Sequence, residues 1–132
     1  MEFPLDGPDQ YELVRGELRK MSPPGFRQGV LFSWIAAKLL NHAETRNLGI
    51  VFASGGCRIE SETDTVRAPH VGFVHRDRLP DRVSATALDL APDLVVEVVS
   101  PTDKFEEVQA KIAGDWPPVF AWPFSSTPRA RP

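Results

Sequence analysis

The chain has 132 residues, a formal net charge of −3 and a hydrophobic fraction of 42%. These values are typical of one soluble globular domain, and they exclude a collagen, a coiled coil and a wholly disordered chain. The single cysteine, Cys57, excludes an internal disulfide, which favours the reducing cytoplasm as the location. Neither a signal peptide nor a membrane span is predicted. The mild acidity argues against a long basic groove that coats nucleic acid.

A β-hairpin and a long helix are the first predicted elements. Residues 11–18 alternate between polar and apolar, and Arg15-Gly16 is the predicted turn between two short strands. Apolar positions then recur at helical spacing from Gln28 to Asn47. They form a wide apolar face: Val30, Leu31, Trp34, Ile35, Ala37, Leu39 and Leu40. Residues 47–49 favour the left-handed backbone that ends a helix.

Short strands and a second helix follow. The predicted strands cover residues 50–53, 57–60, 65–68, 69–74 and 94–99. Residues 75–92 predict a surface excursion that contains a short helix near Ser84–Leu88. Ser100 is a favourable cap for a helix that continues to Gly114. Its apolar residues are Phe105, Val108 and Ile112. The order of elements predicts a mixed α/β (α+β) fold around one sheet.

Glu97 is the most informative residue for function. It lies in the run 94–99, which otherwise consists of valines and a leucine. In a strand it shares a face with Val95 and Val99, so covering that face buries its carboxylate. A buried carboxylate needs a partner such as a metal ion or a lysine, because leaving it unpaired is costly. The ordinary alternative is a strand whose Glu97 face is open to water.

Two other residues are candidates for chemistry, each with an ordinary alternative. Lys111 lies at the margin of the apolar face of the second helix, where a lysine either leans back toward the preceding strand or extends into solvent. His70 begins an apolar strand and suits a metal ligand, a proton carrier or a strand-end histidine without a function. Its spacing to His42 and His75 does not indicate a zinc site. Cys57 has no motif of nucleophilic catalysis around it.

Four separated segments carry a resemblance to a known family. They are 11–18 (YELVRGEL), 21–25 (MSPPG), 66–74 (VRAPHVGFV) and 91–103 (APDLVVEVVSPTD). In this order they resemble the Uma-two family of restriction endonucleases, which belongs to the PD-(D/E)XK nuclease superfamily. The resemblance implies a restriction-endonuclease-like mixed sheet flanked by helices, with an N-terminal β-hairpin. It also implies DNA as the substrate, and it leaves a homodimer open.

The resemblance further implies a divalent-metal site. Glu97 and the carbonyl group of Val98 correspond to metal ligands of the family, and Lys111 corresponds to its lysine. Mg²⁺ prefers such oxygen ligands, and it polarises a phosphodiester for attack by water. The lysine orients that water or stabilises the charge that develops on the phosphate. Glu17, in the hairpin, corresponds to a further acid.

The sequence departs from the family at two places. His70 stands where the family has a metal-binding aspartate, and imidazole is a poor Mg²⁺ ligand. We therefore expect an impaired site that suits Mn²⁺ or another transition metal ion better than Mg²⁺. After Gly114 the family continues with strands, whereas residues 115–132 contain five prolines. We expect an incomplete domain over 1–114 that lacks its final strands and an irregular Pro-rich tail over 115–132. A lost reading frame, a truncated paralogue and a genuine variant terminus all remain open.

Three functions are consistent with these observations. The first is a metal-dependent DNA endonuclease with impaired activity. The second is a non-catalytic module that binds nucleic acid or protein on the same scaffold, and the third is a truncated paralogue without a function. Whether the chain is an enzyme stays open on its sequence alone. Metal binding at Glu97 separates the first function from the other two.

Overall fold

The computed structural model describes residues 10–21, 23–60, 65–83 and 85–99. Within these ranges the chain forms β1 (Gln10–Val14), β2 (Glu17–Met21), α1 (Phe26–Thr45), β3 (Gly49–Ala53), β4 (Cys57–Glu60), β5 (Thr65–Arg67), β6 (Val71–His75) and β7 (Leu94–Val96). A single 3₁₀ turn, Arg76–Arg78, follows β6. The described helix is not long and apolar enough to cross a membrane. The predicted α+β class is confirmed.

The described strands divide into two antiparallel sheets. One has the order β2-β1-β5-β4 and the other the order β3-β6-β7. The sequence predicted one sheet, and the difference arises between β3 and β4. Ser54 adopts a left-handed backbone with φ of 55°, and its N–H group points to the carbonyl oxygens of Pro69 and His70 at 3.0 and 3.3 Å. The chain therefore changes sheets at Ser54, so that β3 pairs with β6 and β4 pairs with β5.

Local sequence signals determine the hairpin and the C-terminal end of α1, as predicted. Arg15 and Gly16 have φ values of 51° and 79°, which is the left-handed pair that a two-residue hairpin turn requires. The helix begins at Phe26, two residues before the predicted start, and ends at Thr45. Asn47 then takes a φ of 50°, as expected for a residue that terminates a helix.

The apolar face of α1 is wider than the surface that the helix buries. Val30, Trp34 and Leu40 from the predicted face are exposed in the structure, whereas Ala43 is buried. The helix packs mainly against β3. Helical periodicity identifies apolar positions, but it does not say how much of a wide face the neighbouring sheet covers.

The short helix predicted near Ser84–Leu88 is not found in the described residues 85–88. The backbone of Leu88 instead bonds to β4 and to the residue that precedes β4. The N–H group of Leu88 donates to the carbonyl oxygen of Gly56 at 2.8 Å, and the carbonyl oxygen of Leu88 accepts from Arg58 at 2.7 Å. These long-range bonds replace the local bonds that a helix would need.

A buried ion pair lies in the four-stranded sheet. Glu12 on β1 and Arg67 on β5 approach to 2.6 Å between Oε2 and Nη1, with side chains 2% and 6% accessible. The second carboxylate oxygen of Glu12 accepts the N–H group of Ala68 at 3.3 Å. The pair thus ties β1 to the end of β5, three residues before His70. Buried apolar residues surround this junction and the second sheet: Leu13, Val66, Val71, Val74 and Val95.

Several predictions fall on residues that lie outside the described ranges. They are the second helix that begins at Ser100, Lys111, and the irregular tail over 115–132. The boundary between a domain over 1–114 and that tail is untested for the same reason, and it remains a prediction.

Candidate active site

Glu97 lies directly after β7 rather than within it. The strand ends at Val96, and the buried valines on either side of the carboxylate are Val95 and Val98. The strict alternation that would put Glu97 on one face with Val95 and Val99 is therefore broken. Because Glu97 follows the last residue of β7, it lies at the end of the three-stranded sheet. Its side chain is 14% accessible.

His70 lies in the short connection between β5 and β6. The Ser54 N–H group contacts the carbonyl oxygens of Pro69 and His70, and the Glu12 carboxylate accepts the N–H group of Ala68. The imidazole stacks on the ring of Phe32 from α1, with a centroid separation of 5.2 Å and an interplanar angle of 4°. The backbone and the ring plane of His70 are thus both held by neighbouring elements.

The structure brings His70 and Glu97 together. His70 Nδ1 lies 3.0 Å from Glu97 Oε2 and also accepts the N–H group of Val98 at 2.9 Å. An imidazole nitrogen either accepts or donates a hydrogen bond. When Nδ1 accepts from Val98, its lone pair also faces the Glu97 carboxylate, and the two repel. A proton on Nδ1 would instead let the imidazole donate to Oε2, and a cation between Nδ1 and Oε2 would take the same lone pair, so either one would replace the Val98 N–H group at Nδ1.

Gln28 from the first turn of α1 binds the peptide next to Glu97. Its Nε2 donates to the carbonyl oxygen of Val98 at 2.6 Å, and its Oε1 accepts the N–H group of Gly25 at 3.0 Å. The two neighbours fix the orientation of the amide, because Gly25 can only donate and the Val98 carbonyl can only accept. The Val98 carbonyl, predicted as a metal ligand, thus already has one partner, and a carbonyl oxygen has two lone pairs.

Sequence analysis did not identify Gln28 and Phe32 as site residues. The spacing of Gly25 and Gln28 resembles a capping box, which identifies the start of the helix. Nothing in the sequence indicates that the same amide reaches Val98, 70 positions away. Phe32 belongs to a helix with many apolar residues, and its stack on His70 has no local signal either.

The structure does not bring Glu17 to this site. Glu17 pairs with Val14 next to the hairpin turn, and the N–H group of Arg15 donates to the Thr65 hydroxyl group. Thr65 begins β5, whereas His70 follows the other end of that strand. The predicted further acid is therefore at the wrong end of β5 to act with Glu97.

The other single-residue candidates are consistent with ordinary roles. His42 lies exposed in the last turn of α1, and His75 accepts the N–H group of Asp77 at the start of the 3₁₀ turn. Burial raises the pKa of the Cys57 thiol to about 11. Since the thiolate is the reactive form, the thiol is inert near neutral pH.

Asp93 connects the start of β7 to the end of β6, at the opposite end of this strand pair from Glu97. Its Oδ2 accepts the N–H group of His75 at 2.7 Å, and its Oδ1 accepts from Arg78 at 2.7 Å. Burial raises the pKa of the Asp93 carboxyl group. The hydrogen bond from the His75 N–H group and the nearby Arg78 guanidinium lower this pKa by more than burial raises it, so it lies below its usual value. The Asp93 carboxylate therefore stabilises the strand pair that carries Glu97.

The donors suit some metal ions better than others. In the ranges that the structure describes, no group of three or more His, Cys, Asp or Glu side chains could hold a metal ion. Glu97 and His70 supply one oxygen and one nitrogen, whereas Mg²⁺ prefers oxygen ligands throughout. These two donors fit a transition metal ion such as Mn²⁺, Zn²⁺ or Ni²⁺, provided that His70 Nδ1 exchanges the Val98 N–H group for the ion.

Comparisons with known proteins agree with the fold. A crystal structure of a protein from Anabaena variabilis, described as a putative nuclease belonging to DUF820, superimposes with a TM-score of 0.68 at 18% identity. The match covers 78% of this chain and 57% of that chain, so this chain spans little more than half of that protein. No match was found among curated proteins. The model of the Uma2 family, described as "Putative restriction endonuclease", matches residues 2–113, and the chain therefore belongs to the Uma2 family of putative restriction endonucleases.

Proposed function

We propose that this chain is a metal-dependent DNA endonuclease whose phosphodiester hydrolysis is impaired by His70. One observation carries the proposal: the Glu97 carboxylate and the His70 imidazole lie 3.0 Å apart at the end of the three-stranded sheet. Family membership supports the nuclease part of the proposal. The identity of the residue at position 70 supports the impairment.

Charge explains the expected loss of activity. Two carboxylates at a metal site bring two negative charges, whereas Glu97 and His70 bring at most one. In addition, a cation must displace the Val98 N–H group from Nδ1 before the imidazole can bind it. Both effects weaken divalent-metal binding, and the effect is larger for Mg²⁺ because Mg²⁺ prefers oxygen ligands.

Each site residue has a proposed role. Glu97 and His70 hold the metal ion, which, when bound, polarises the phosphodiester and lowers the pKa of an attacking water. The Val98 carbonyl is the third proposed donor, through the lone pair that Gln28 does not use. Phe32 keeps the imidazole ring in its plane. Lys111 remains the proposed lysine that stabilises charge on the phosphate.

Calorimetric titration with MnCl₂ and MgCl₂ tests the metal site. We expect the parent protein to bind Mn²⁺ more tightly than Mg²⁺, and Glu97→Gln to abolish both. Loss of a direct ligand typically costs on the order of 100-fold or more in metal affinity, since even the supporting residues cost 10- to 100-fold. Glu44→Gln is the matched control, because Glu44 is an exposed acid near the end of α1. Equal binding by the parent and Glu97→Gln would contradict the site.

The variant His70→Asp tests the impairment. It restores the second carboxylate, so we expect Mg²⁺ affinity and Mg²⁺-dependent cleavage of supercoiled plasmid DNA to rise by about tenfold or more. His42→Asp is the matched control, because His42 lies exposed on α1 away from Glu97. If His70→Asp binds Mg²⁺ no better than the parent, position 70 is not the cause of the impairment.

A non-catalytic module that binds nucleic acid or protein is the second candidate, and the imidazole at position 70 favours it over an active enzyme, because imidazole is a poor Mg²⁺ ligand. DNA binding without cleavage by either the parent or His70→Asp would support this second function. A truncated paralogue without a function would show neither binding nor cleavage. Location in the cytoplasm and assembly as a homodimer are further proposals, which cell fractionation and light scattering test.

A further inference from the structure

Gln28 connects the start of α1 to the chain segment that follows Glu97. Its Nε2 donates to the Val98 carbonyl oxygen at 2.6 Å, while its Oε1 accepts the Gly25 N–H group at 3.0 Å. The contact with Val98 spans 70 positions of the chain, so it is not part of the helix start. The Gln28 amide therefore has two separate roles, one in the helix start and one at the candidate site.

The role in the helix start does not require a glutamine. In a capping box, a glutamate at this position accepts the same kind of backbone N–H group, and its negative charge near the N-terminus of a helix is stabilising as well. The first turn of α1 carries no acidic residue. Since an amide can donate and a carboxylate cannot, the contact with Val98 is what distinguishes glutamine from glutamate at position 28.

Strand pairing does not orient the Val98 carbonyl group. In the described part of the chain, the register between β6 and β7 ends at the pair of Val71 and Val96, and Val98 lies two residues further along. The N–H group of Val98 donates to His70 Nδ1 at 2.9 Å, and its side chain is 4% exposed. Gln28 therefore holds this carbonyl group at a position where no neighbouring strand does so.

The same side of α1 also holds the imidazole. Phe32 follows Gln28 by four residues and stacks on the His70 ring with a centroid separation of 5.2 Å. Residues four apart lie on the same side of a helix. One side of α1 thus holds two of the three proposed donors, the His70 nitrogen and the Val98 oxygen. The third donor, the Glu97 carboxylate, lies 3.0 Å from His70 Nδ1.

We infer that Gln28 is a positioning residue of the proposed metal site, which keeps the Val98 carbonyl oxygen available to an ion at Glu97 and His70. The inference rests on the proposed function, and it adds a residue that supports the site without binding the ion itself. A carbonyl oxygen has two lone pairs, so it can accept from Gln28 and bind a cation at the same time. Removing a supporting residue of this kind typically weakens metal binding by roughly 10- to 100-fold.

Calorimetric titration of Gln28→Met with MnCl₂ and NiCl₂ tests the inference. Methionine has a similar length but no donor for the Val98 carbonyl. We expect Mn²⁺ affinity to fall by roughly 10- to 100-fold, and Ni²⁺ affinity to fall less, because carbonyl oxygens suit Mn²⁺ and imidazole suits Ni²⁺. A purely structural role would lower the thermal midpoint without changing the ratio of the two affinities. Thr45→Val is the matched control, since Thr45 donates to backbone carbonyls at the other end of α1.

The side-chain amide signal of Gln28 gives a second measurement that needs no variant. It is followed by NMR of the ¹⁵N-labelled parent during titration with diamagnetic Zn²⁺, and we expect it to stay that of a hydrogen-bonded amide. Two results would overturn the inference. They are equal Mn²⁺ affinities of the parent and Gln28→Met, and a Gln28 signal that becomes that of a solvent-exposed glutamine when Zn²⁺ binds. The second would show that the ion displaces Gln28.

The tests also separate this inference from the proposed function. If Glu97→Gln abolishes Mn²⁺ binding but Gln28→Met binds like the parent, the metal site stands and the inference fails. If Gln28→Met weakens Mn²⁺ binding but neither the parent nor His70→Asp cleaves DNA, the inference stands and the hydrolytic function fails. If neither the parent nor His70→Asp binds any of these ions, both fail.

Discussion

Among the described residues, Glu12 and Glu97 each lie within 3.0 Å of a basic side chain, and the surroundings of these two carboxylates are opposite. Glu12 accepts from Arg67 and from the N–H group of Ala68, so both of its oxygens face donors. Glu97 faces His70 Nδ1, a nitrogen that already accepts from Val98. The first pair is buried with both carboxylate oxygens facing donors, whereas in the second a single imidazole nitrogen faces both an N–H donor and a carboxylate oxygen. The difference shows that short distances alone do not distinguish a structural ion pair from a functional one, whereas the count of donors and acceptors does.

Glu12→Gln should give the largest loss of stability. The change removes the negative charge that faces the buried Arg67 guanidinium, and breaking a buried pair costs about 3–5 kcal/mol. Urea denaturation followed by circular dichroism measures the loss. Asp89→Asn is the control, because the pair between Arg58 and Asp89 is 3.5 Å long and the Asp89 side chain is 82% exposed. A loss below about 1 kcal/mol for Glu12→Gln would show that the Glu12 pair is no stronger than an exposed ion pair, and it would contradict the difference between Glu12 and Glu97.

Gln28→Glu should give the second largest effect. The substitution keeps the oxygen that accepts the Gly25 N–H group but replaces the donor to Val98 with a carboxylate oxygen. Two acceptors then face each other, and we expect a loss of about 1–3 kcal/mol. Gln28→Met removes both contacts without repulsion and should cost less. If Gln28→Glu is as stable as the parent in urea, the Val98 contact contributes nothing.

Asp93→Asn should have a smaller effect that depends on pH. The folded pKa of Asp93 is lowered, so the stability it contributes is present above the unfolded pKa and disappears as the pH falls through the folded pKa. We expect a loss of about 1 kcal/mol at neutral pH, because the group is partly exposed. The parent and variant should converge below the folded pKa in thermal scans across acidic pH. A difference that is constant with pH would exclude an ionic origin.

Glu97→Gln should have the smallest effect on stability, and its sign is the sharpest test of the comparison. It is the same chemical change as Glu12→Gln. Here, however, it replaces an oxygen that faces the His70 lone pair with an amide that can donate to it. We expect a change within about 0.5 kcal/mol of zero or a slight gain. A loss comparable to that of Glu12→Gln would show that the Glu97 carboxylate is already satisfied.

The features that the sequence predicted are those set by neighbouring residues. The turn at Arg15-Gly16, the body of α1 and its end at Asn47 each have a local signal, and the structure has all of them. The division into two sheets has no such signal, because it depends on where Ser54 finds acceptors 15 and 16 positions further along the chain. Periodicity likewise could not say that Trp34 would remain exposed.

The candidate site was predictable only in part for the same reason. The resemblance identified His70 and Glu97, and the structure brings these two residues together. Gln28 and Phe32 contact the site through α1, and Glu12 supports it from β1 across 56 positions. Contacts at such separations follow from the packing of the whole fold, which no short motif encodes. Glu17 is the opposite case: it lies in the segment 11–18 that resembles the family, yet the structure does not bring its carboxylate to the site.

The Gln28 amide couples the stability of the first turn of α1 to that of the peptide after Glu97. One amide group satisfies Gly25 and Val98 together, so fraying of the helix start and release of the Val98 carbonyl occur as one event. By linkage, a ligand that takes the Val98 carbonyl from Gln28 should loosen the start of α1, and stabilising that turn should weaken the ligand by the same factor. Hydrogen exchange at the first amides of α1 would therefore report any ligand that displaces Gln28 from the Val98 carbonyl, even one that never touches the helix.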